Sequence, residues 1–403
     1  MSGSDAAVPS STRKLPMRRE CPFSPPLEYA RMRAESAVCP VDMPNGARAW
    51  AVTRYADIRA LLTDSRLSSD NTLPGYPTFT SEQPTEQPIR LLINLDGDEH
   101  HSARKRVMGE YTARRVRELR PVVQRLVDHR LDRMLARPAP ADLVAEFSVP
   151  LPALVMSEQL GVAPDDTARF LENSTRLVSI SSSERERDDA FAVLVEMMTD
   201  LVASKEAAPT DDLVGRQIIS LRENGEYDRE ALVSLAFLLL VAGHETSAGM
   251  LSLGTLVLLR RNDIAERVRR DPSCTRAFVE ELLRFFTVGE QAMVRVATED
   301  IRIGGTTVPR GDGVVALTNA ANRDPDGFDD PDSFDIDRPN RHLAFGYGPH
   351  QCIGANLARL ELQIAFDSLL ARVPGLRAAV AFDELRFTDD RGVYGFEELP
   401  VSW

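Results

Sequence analysis

Cysteine is scarce in this sequence, with only four among 403 residues. The four stand far apart and form no CxxC pair: Cys21, Cys39, Cys274 and Cys352. A disulfide framework, a zinc ribbon or an iron–sulfur cluster needs several closely spaced cysteines, so all three are poorly supported. So few thiols fit a reducing cytoplasm.

An excess of basic charge and long apolar runs are also missing. The formal net charge is −13, whereas a nucleic-acid binder needs a basic surface that neutralises phosphates. The N-terminus has no apolar core of the kind that a secretory signal requires. The most apolar run, residues 232–243, is shorter than the ~20 residues that cross a bilayer. We therefore expect a cytoplasmic protein that binds neither nucleic acid nor a membrane, with that run as a buried helix.

The composition that remains is typical of a globular protein, with 43% hydrophobic and 27% charged residues. Residues 1–20 are polar and contain prolines, which predicts a flexible tail. The pair Asn45-Gly46 between two strand-like runs predicts a hairpin. Prolines and polar residues without periodicity over 68–90 predict a long loop.

The rest of the chain alternates between two periodicities. Residues 98–270 and 274–286 are mostly helical in pattern, and the run 113–135 reads as one helical segment. Asp228 is a plausible N-cap for a long apolar helix that ends near Arg260. Alternation over 293–319 predicts short strands joined by glycine turns.

The stretch FGYGPHQCIG sets Cys352 among glycines and directly before a helical run. A thiolate is a strong metal ligand, and glycines at 346, 348 and 354 let the backbone approach a flat ligand. A helix that begins just after Cys352 would stabilise the negative sulfur, and Phe345 would pack against the ligand. Two alternatives stay open: a small buried core residue, or a nucleophile with His350 as its base.

A second motif, AGHET at residues 242–246, lies midway along the long apolar helix. An acid and an alcohol are costly to bury there without partners. A bond from Thr246 back to the preceding turn would satisfy the alcohol, and we expect it to open the helix. Elsewhere, Glu281 and Arg284 stand three residues apart and share one helical face, as many solvated ion pairs do.

FGYGPHQCIG matches the haem-binding signature FGxGxHxCxG of the cytochrome P450 haem-thiolate monooxygenases at every fixed position. AGHET resembles the family's (A/G)Gx(D/E)T, EELLR resembles its ExxR pair, and the chain is similar to soluble actinobacterial members from about residue 21 to Trp403. The resemblance implies one catalytic domain over 21–403, mainly α with small β-sheets. Haem b would lie between a long central helix and the Cys352 loop.

The resemblance also implies roles for individual residues. Cys352 would ligate the iron, and its thiolate favours O–O cleavage. Glu245 and Thr246 would direct water and protons to dioxygen. Further haem contacts, in part to the propionates, are expected from His100, Arg104, Ala242, Arg295, His342, Phe345, Gly346, His350 and Gly354. A structural role is expected from Glu281, Arg284 and Arg338, and substrate contacts from Leu91, Leu92, Leu239, Val288, Ala292, Met293 and Val393.

The implied function is the insertion of one atom of O2 into a hydrophobic organic substrate, by hydroxylation or epoxidation, in secondary metabolism or xenobiotic oxidation. Electrons would come from NAD(P)H through a reductase and a ferredoxin, and a group of basic residues between 104 and 120 would steer an acidic ferredoxin to a monomeric protein. Two other classes stay open: haem-thiolate chemistry such as nitration, nitric oxide reduction or aryl coupling, and a protein that only binds or senses a gas.

Overall fold

The computed structural model describes residues 13–79, 89–179, 182–289, 292–339, 341–388 and 392–403. Within these ranges the chain forms fourteen α-helices: Leu27–Glu35 (α1), Tyr55–Leu61 (α2), Gly97–Met108 (α3), Ala113–Glu118 (α4), Arg120–Leu135 (α5), Pro150–Leu160 (α6), Thr167–Val178 (α7), Glu184–Ala207 (α8), Leu213–Glu223 (α9), Arg229–Arg260 (α10), Asn262–Arg270 (α11), Cys274–Phe286 (α12), Thr318–Ala321 (α13) and Ala355–Arg372 (α14). The same ranges contain ten short strands: Val38–Asp42 (β1), Arg48–Val52 (β2), Leu67–Ser68 (β3), Ala141–Asp142 (β4), Val294–Ala297 (β5), Ile301–Ile303 (β6), Thr306–Val308 (β7), Gly313–Ala316 (β8), Arg377–Ala378 (β9) and Pro400–Ser402 (β10).

The strands form three small sheets. Five of them make a mixed sheet in the order β1-β2-β8-β5-β3, in which β2 and β8 are parallel and the other neighbours are antiparallel. A second sheet has the order β4-β10-β9, and β6 and β7 form a hairpin. The predicted architecture, mainly α with small β-sheets, is confirmed.

The central element is α10, which packs against α6, α8, α12 and α14. Asp228 caps it as predicted, because its side chain accepts a hydrogen bond from Ala231 N at 3.1 Å. Its apolar window has a mean hydropathy of 1.6 and is long enough to span a membrane, yet 67% of that window is buried inside the protein. The prediction of a buried core helix is therefore confirmed.

Two local predictions can be compared with the backbone. The turn at Asn45-Gly46 joins β1 to β2, with Gly46 at φ 80°, which a glycine adopts without strain. The helical run 113–135 is not continuous but splits into α4 and α5 at Leu119. Pro121 explains the break, because it has no N–H to donate to the carbonyl four residues before it.

Two predicted segments lie partly outside the described residues. Residues 1–12 of the predicted tail are outside them, whereas Leu15 is buried and its N–H donates to the Asp42 carbonyl at 3.0 Å. Residues 80–88 of the predicted loop are also outside, and residues 69–79 form turns without regular structure. The flexibility of the tail stays a prediction.

Candidate active site

A cavity of about 300 Å³ lies between α10 and the loop that precedes α14. Most of the predicted site residues line it: Leu92, His100, Arg104, Leu239, Ala242, Thr246, Val288, Ala292, Met293, Arg295, Phe345, His350, Cys352 and Gly354. Five predicted contacts do not line it: Leu91, Glu245, His342, Gly346 and Val393. Residues from distant parts of the chain thus meet around one space.

The Cys352 loop owes its shape to glycines with positive φ. Gly346 has φ 69° and Gly348 has φ 73°, and a Cβ on Gly346 would lie 2.9 Å from the Met293 side chain. The Cys352 N–H donates to the Phe345 carbonyl at 2.8 Å, which closes the loop just before α14. Glycine at 346 is therefore required by backbone conformation and close packing, although it does not itself reach the cavity.

Cys352 lines the cavity, and opposing effects act on the pKa of its thiol, of which burial is the largest. Burial among protein atoms raises the pKa of its thiol. The N–H groups of Gly354 and Ala355 and the cations of Arg104 and Arg359 act in the opposite direction. These groups favour the thiolate once a metal ion replaces the proton.

Basic side chains form one edge of the cavity. The rings of His100 and His350 stack with their centroids 3.9 Å apart, and Asp96 Oδ1 lies 4.0 Å from His350 Nε2. Burial, Arg295 and His100 lower the pKa of His350 to about 3, and burial also lowers the pKa of Arg295. Because the edge holds more cationic and histidine groups than acids, it is suited to an anionic ligand such as a carboxylate.

His342, predicted to contact a propionate, lies elsewhere. Its Nε2 is 3.1 Å from Glu280 Oε2, and its ring is almost fully buried. Glu280 in turn accepts two hydrogen bonds from Arg359, at 2.6 and 3.0 Å. The sequence placed His342 correctly beside the loop but did not reveal this acid, which is 62 residues away.

Thr246 lies on the α10 wall of the cavity. Its Oγ1 donates to the Ala242 carbonyl at 3.1 Å, which is the predicted bond to the preceding turn. The helix nevertheless stays α-helical throughout this region, so the expected opening is not observed. The hydroxyl adds a second hydrogen bond to a carbonyl that keeps its helical role, since a carbonyl oxygen has two lone pairs.

Glu245 is on a different face of α10 from Thr246. Its carboxylate is buried, and Oε1 lies 3.2 Å from His244 Nε2. It lines a small pocket of about 20 Å³ together with Val393 and other residues near the C-terminus. The structure thus places Glu245 and Val393 beside each other rather than in the main cavity.

Several lining residues were not predicted, including Ile93, Tyr111, Met156, Leu238 and Glu361. Glu361 is the most unusual, because it is buried on α14 and its Oε1 has no hydrogen-bond partner among the described residues. Burial raises its pKa to about 8. The sequence does hold a signal for it, since Glu361 follows Leu357 by four residues in an otherwise apolar helical stripe.

Glu281 and Arg284 form a fully buried ion pair behind the loop. Arg284 donates to both carboxylate oxygens, at 2.7 and 2.8 Å, and also to the carbonyls of Asn322 and Pro331. The Arg338 Nε lies 3.5 Å from Glu281 Oε1. The three residues assigned a structural role therefore share one network.

The residues present fit haem b. Cys352 would supply a soft sulfur ligand for iron, the apolar walls suit the porphyrin, and the basic edge suits its two propionates. His100, Arg104, Arg295 and His350 are the groups that line this edge. A mainly α fold in which a free cysteine and a basic edge meet at one apolar cavity fits the class of haem-thiolate enzymes.

Comparison with known proteins supports the same class of enzyme. The cytochrome P450 family model matches residues 180–373. Pentalenic acid synthase from Streptomyces avermitilis is 42% identical over 96% of this chain and 97% of its own length. The crystal structure of cytochrome P450 MoxA from Nonomuraea recticatena has a TM-score of 0.90 at 46% identity, covering 97% of this chain and 98% of that one.

A third relative has been solved with a ligand. The crystal structure of mycinamicin VIII C21 methyl hydroxylase MycCI from Micromonospora griseorubida, bound to mycinamicin VIII, has a TM-score of 0.92 at 37% identity and covers 97% of this chain and 100% of that one. The chain belongs to the cytochrome P450 family: it is a monooxygenase of the bacterial type that carries haem b.

Proposed function

We propose that the enzyme hydroxylates or epoxidises a bulky hydrophobic metabolite, such as a terpenoid, macrolide, polyketide or modified peptide. The observation that carries this proposal is the cavity, whose largely apolar lining includes the Thr246 alcohol of α10 and the Cys352 thiol. Apolar walls favour a hydrophobic substrate. The names of pentalenic acid synthase and the mycinamicin hydroxylase support a secondary metabolite.

When bound, haem supplies the chemistry that activates dioxygen. The protein chain orients the substrate, excludes water from the cavity and supplies protons. Cys352 would hold the iron, and the basic edge with Arg104 and Arg295 would hold the propionates. Leu239, Val288 and the other apolar residues orient the substrate and exclude water from it. Thr246 Oγ1 lies at the cavity wall, and it can donate its proton into the cavity once it releases the Ala242 carbonyl. Glu245 supplies protons to Thr246 from the neighbouring face of α10.

Turnover with labelled dioxygen tests the reaction. The enzyme, a surrogate ferredoxin, its reductase and NADPH are incubated with a panel of hydrophobic metabolites, and products are analysed by mass spectrometry. We expect a product that carries one oxygen atom from O2. Nitrated or coupled products, or substrate returned unchanged across the panel despite reduction of the haem, would contradict the proposal.

Replacing Thr246 by alanine tests the proton role. We expect haem content and substrate binding to be unchanged, whereas product formed per NADPH falls and peroxide rises. Thr255→Ala is a matched control, because Thr255 makes the same bond to the preceding turn, at 2.8 Å, but does not line the cavity. Equal coupling in the wild type and Thr246→Ala would refute the role.

For the electron donor we propose an acidic ferredoxin that docks on the basic residues of α3 to α5. Some of these are already paired within the protein: Arg106 with Glu226, and Arg115 with Glu110 and Glu118. Others are exposed and have no ion pair with a described residue: Lys105, Arg117 and Arg120. This leaves positive charge available to steer an acidic partner.

The rate of haem reduction by ferredoxin is expected to fall steeply with ionic strength, since salt screens exposed charges beyond ~10 Å at 0.1 M. Arg117→Glu should slow reduction at low salt. Arg185→Glu changes another exposed arginine, on α8, and serves as the control. A rate that is flat across ionic strength, or equal effects of the two variants, would count against this docking surface.

We further propose that the enzyme acts in the cytoplasm as a monomer. Sedimentation of the purified protein would check the monomeric state.

A further inference from the structure

A cluster of ionic side chains lies directly behind the Cys352 loop. Glu280, on α12, accepts hydrogen bonds from Arg359 Nε at 2.6 Å and Nη2 at 3.0 Å. Its Oε2 also lies 3.1 Å from His342 Nε2. The cluster therefore joins α12, α14 and the start of the loop through one carboxylate.

The proton positions in this cluster follow from its contacts. His342 Nδ1 accepts a hydrogen bond from Ala344 N at 3.2 Å, so Nε2 carries the hydrogen that Glu280 accepts. Burial would raise the pKa of Glu280, but His342 and Arg359 outweigh it and lower the pKa to about 2. Glu280 is therefore an anion that balances the Arg359 cation.

Arg359 connects the cluster to the iron ligand. Its guanidinium carbon lies 4.6 Å from the centre of the Phe345 ring, and the Phe345 carbonyl accepts the Cys352 N–H at 2.8 Å. The Arg359 charge also acts on the Cys352 sulfur, where it favours the thiolate. A change in the net charge of the cluster would therefore change the electrostatic potential at the Cys352 sulfur.

We propose that Glu280 is a positioning residue that fixes Arg359 and His342 behind the loop and, by neutralising Arg359, sets the reduction potential of the haem iron. An uncompensated cation near the sulfur stabilises the added electron and draws electron density away from the ligand. The adjacent Glu281 forms an ion pair with Arg284, so it cannot replace Glu280 as the partner of Arg359. Glu280 and Glu281 thus hold two different arginines from neighbouring positions of α12.

The test is the midpoint potential of the substrate-free holoenzyme, measured by spectroelectrochemistry. Glu280→Gln leaves Arg359 unbalanced, so we expect a more positive potential. Arg359→Gln removes the cation and should shift the potential in the negative direction. The double variant carries neither charge and should return towards the wild type. Glu206→Gln, which removes a carboxylate paired with Arg229 at the far end of α8, should leave the potential unchanged.

Each outcome decides the proposal. Equal potentials in Glu280→Gln, Arg359→Gln and the Glu206→Gln control would overturn it, as would a double variant no closer to the wild type than Glu280→Gln. If Glu280→Gln takes up no haem, recovery of haem in the double variant supports charge compensation. Loss of haem in both, with a wild-type potential in Arg359→Gln, would show that Glu280 acts only in folding and would overturn the proposal.

Discussion

Replacing Glu361 by glutamine should stabilise the protein at neutral and alkaline pH. Burial raises the pKa of this carboxyl group from 4.5 to about 8, so the folded protein binds a proton that the unfolded chain has released. The contribution of Glu361 to stability is complete below pH 4.5 and is lost as the pH rises towards 8. A tenfold change in proton affinity corresponds to ~1.4 kcal/mol, so the whole contribution amounts to ~5 kcal/mol. Glutamine has a similar shape and no charge at any pH, so it carries no such penalty.

The assay is urea unfolding of the holoenzyme at pH 6 and pH 8, followed by far-ultraviolet circular dichroism. Between these values the stability of the wild type should fall by about 2 kcal/mol more than that of Glu361→Gln. Other titrating groups are common to both proteins and cancel in the comparison. Glu223→Gln, at an exposed position of α9, is the matched control and should follow the wild type. Parallel pH dependence in the wild type and Glu361→Gln would refute the reasoning, provided that the haem spectrum is unchanged.

Two further substitutions test how the Cys352 loop is held. Arg284→Leu removes the cation that donates to both oxygens of the fully buried Glu281, which costs roughly 3–5 kcal/mol, so we expect much less haem-loaded protein by absorbance. An equal loss in Arg267→Leu, which breaks a surface pair with Asp337, would contradict this. Gly346→Ala forces a side chain into φ 69°, at a cost of ~1–2 kcal/mol, and against Met293. It should lower the melting temperature of the holoenzyme, and adding Met293→Ala should restore only part of the loss; full restoration would show that backbone strain is unimportant.

The predictions that succeeded depend on local physics. Asp228 caps α10 because a short acid side chain reaches the free N–H groups of a first helical turn, which depends on residues a few positions apart. The turn at Gly46 depends in the same way on one residue that tolerates positive φ. The glycines before Cys352 fix the loop by the same means. Local sequence is sufficient for such features because the interacting atoms are close along the chain.

The predictions that differ from the structure depend on partners far away in sequence. His342 pairs with Glu280 on another helix, and no local pattern distinguishes that arrangement from a contact with a propionate. Val393 packs on the flank of α10, where a Cβ on Gly249 would lie 3.4 Å from it. Tertiary packing decides whether a residue near the C-terminus contacts the cavity-facing side or the flank of α10, and local sequence patterns do not specify that packing.

The placement of Glu245 likewise depends on how α10 is rotated in the fold. Consecutive residues of an α-helix point about 100° apart, and Ser247 lines the cavity beside Thr246 whereas Glu245 does not, so helix geometry alone does not decide which neighbour of Thr246 reaches the wall. Ala242 and Thr246 are one turn apart and do share the wall, which is why the Thr246 hydroxyl reaches the Ala242 carbonyl. In the observed rotation Thr246 lines the cavity and Glu245 faces the flank of α10. In the proposed route from Glu245 to Thr246, a proton therefore has to cross from that flank to the cavity side.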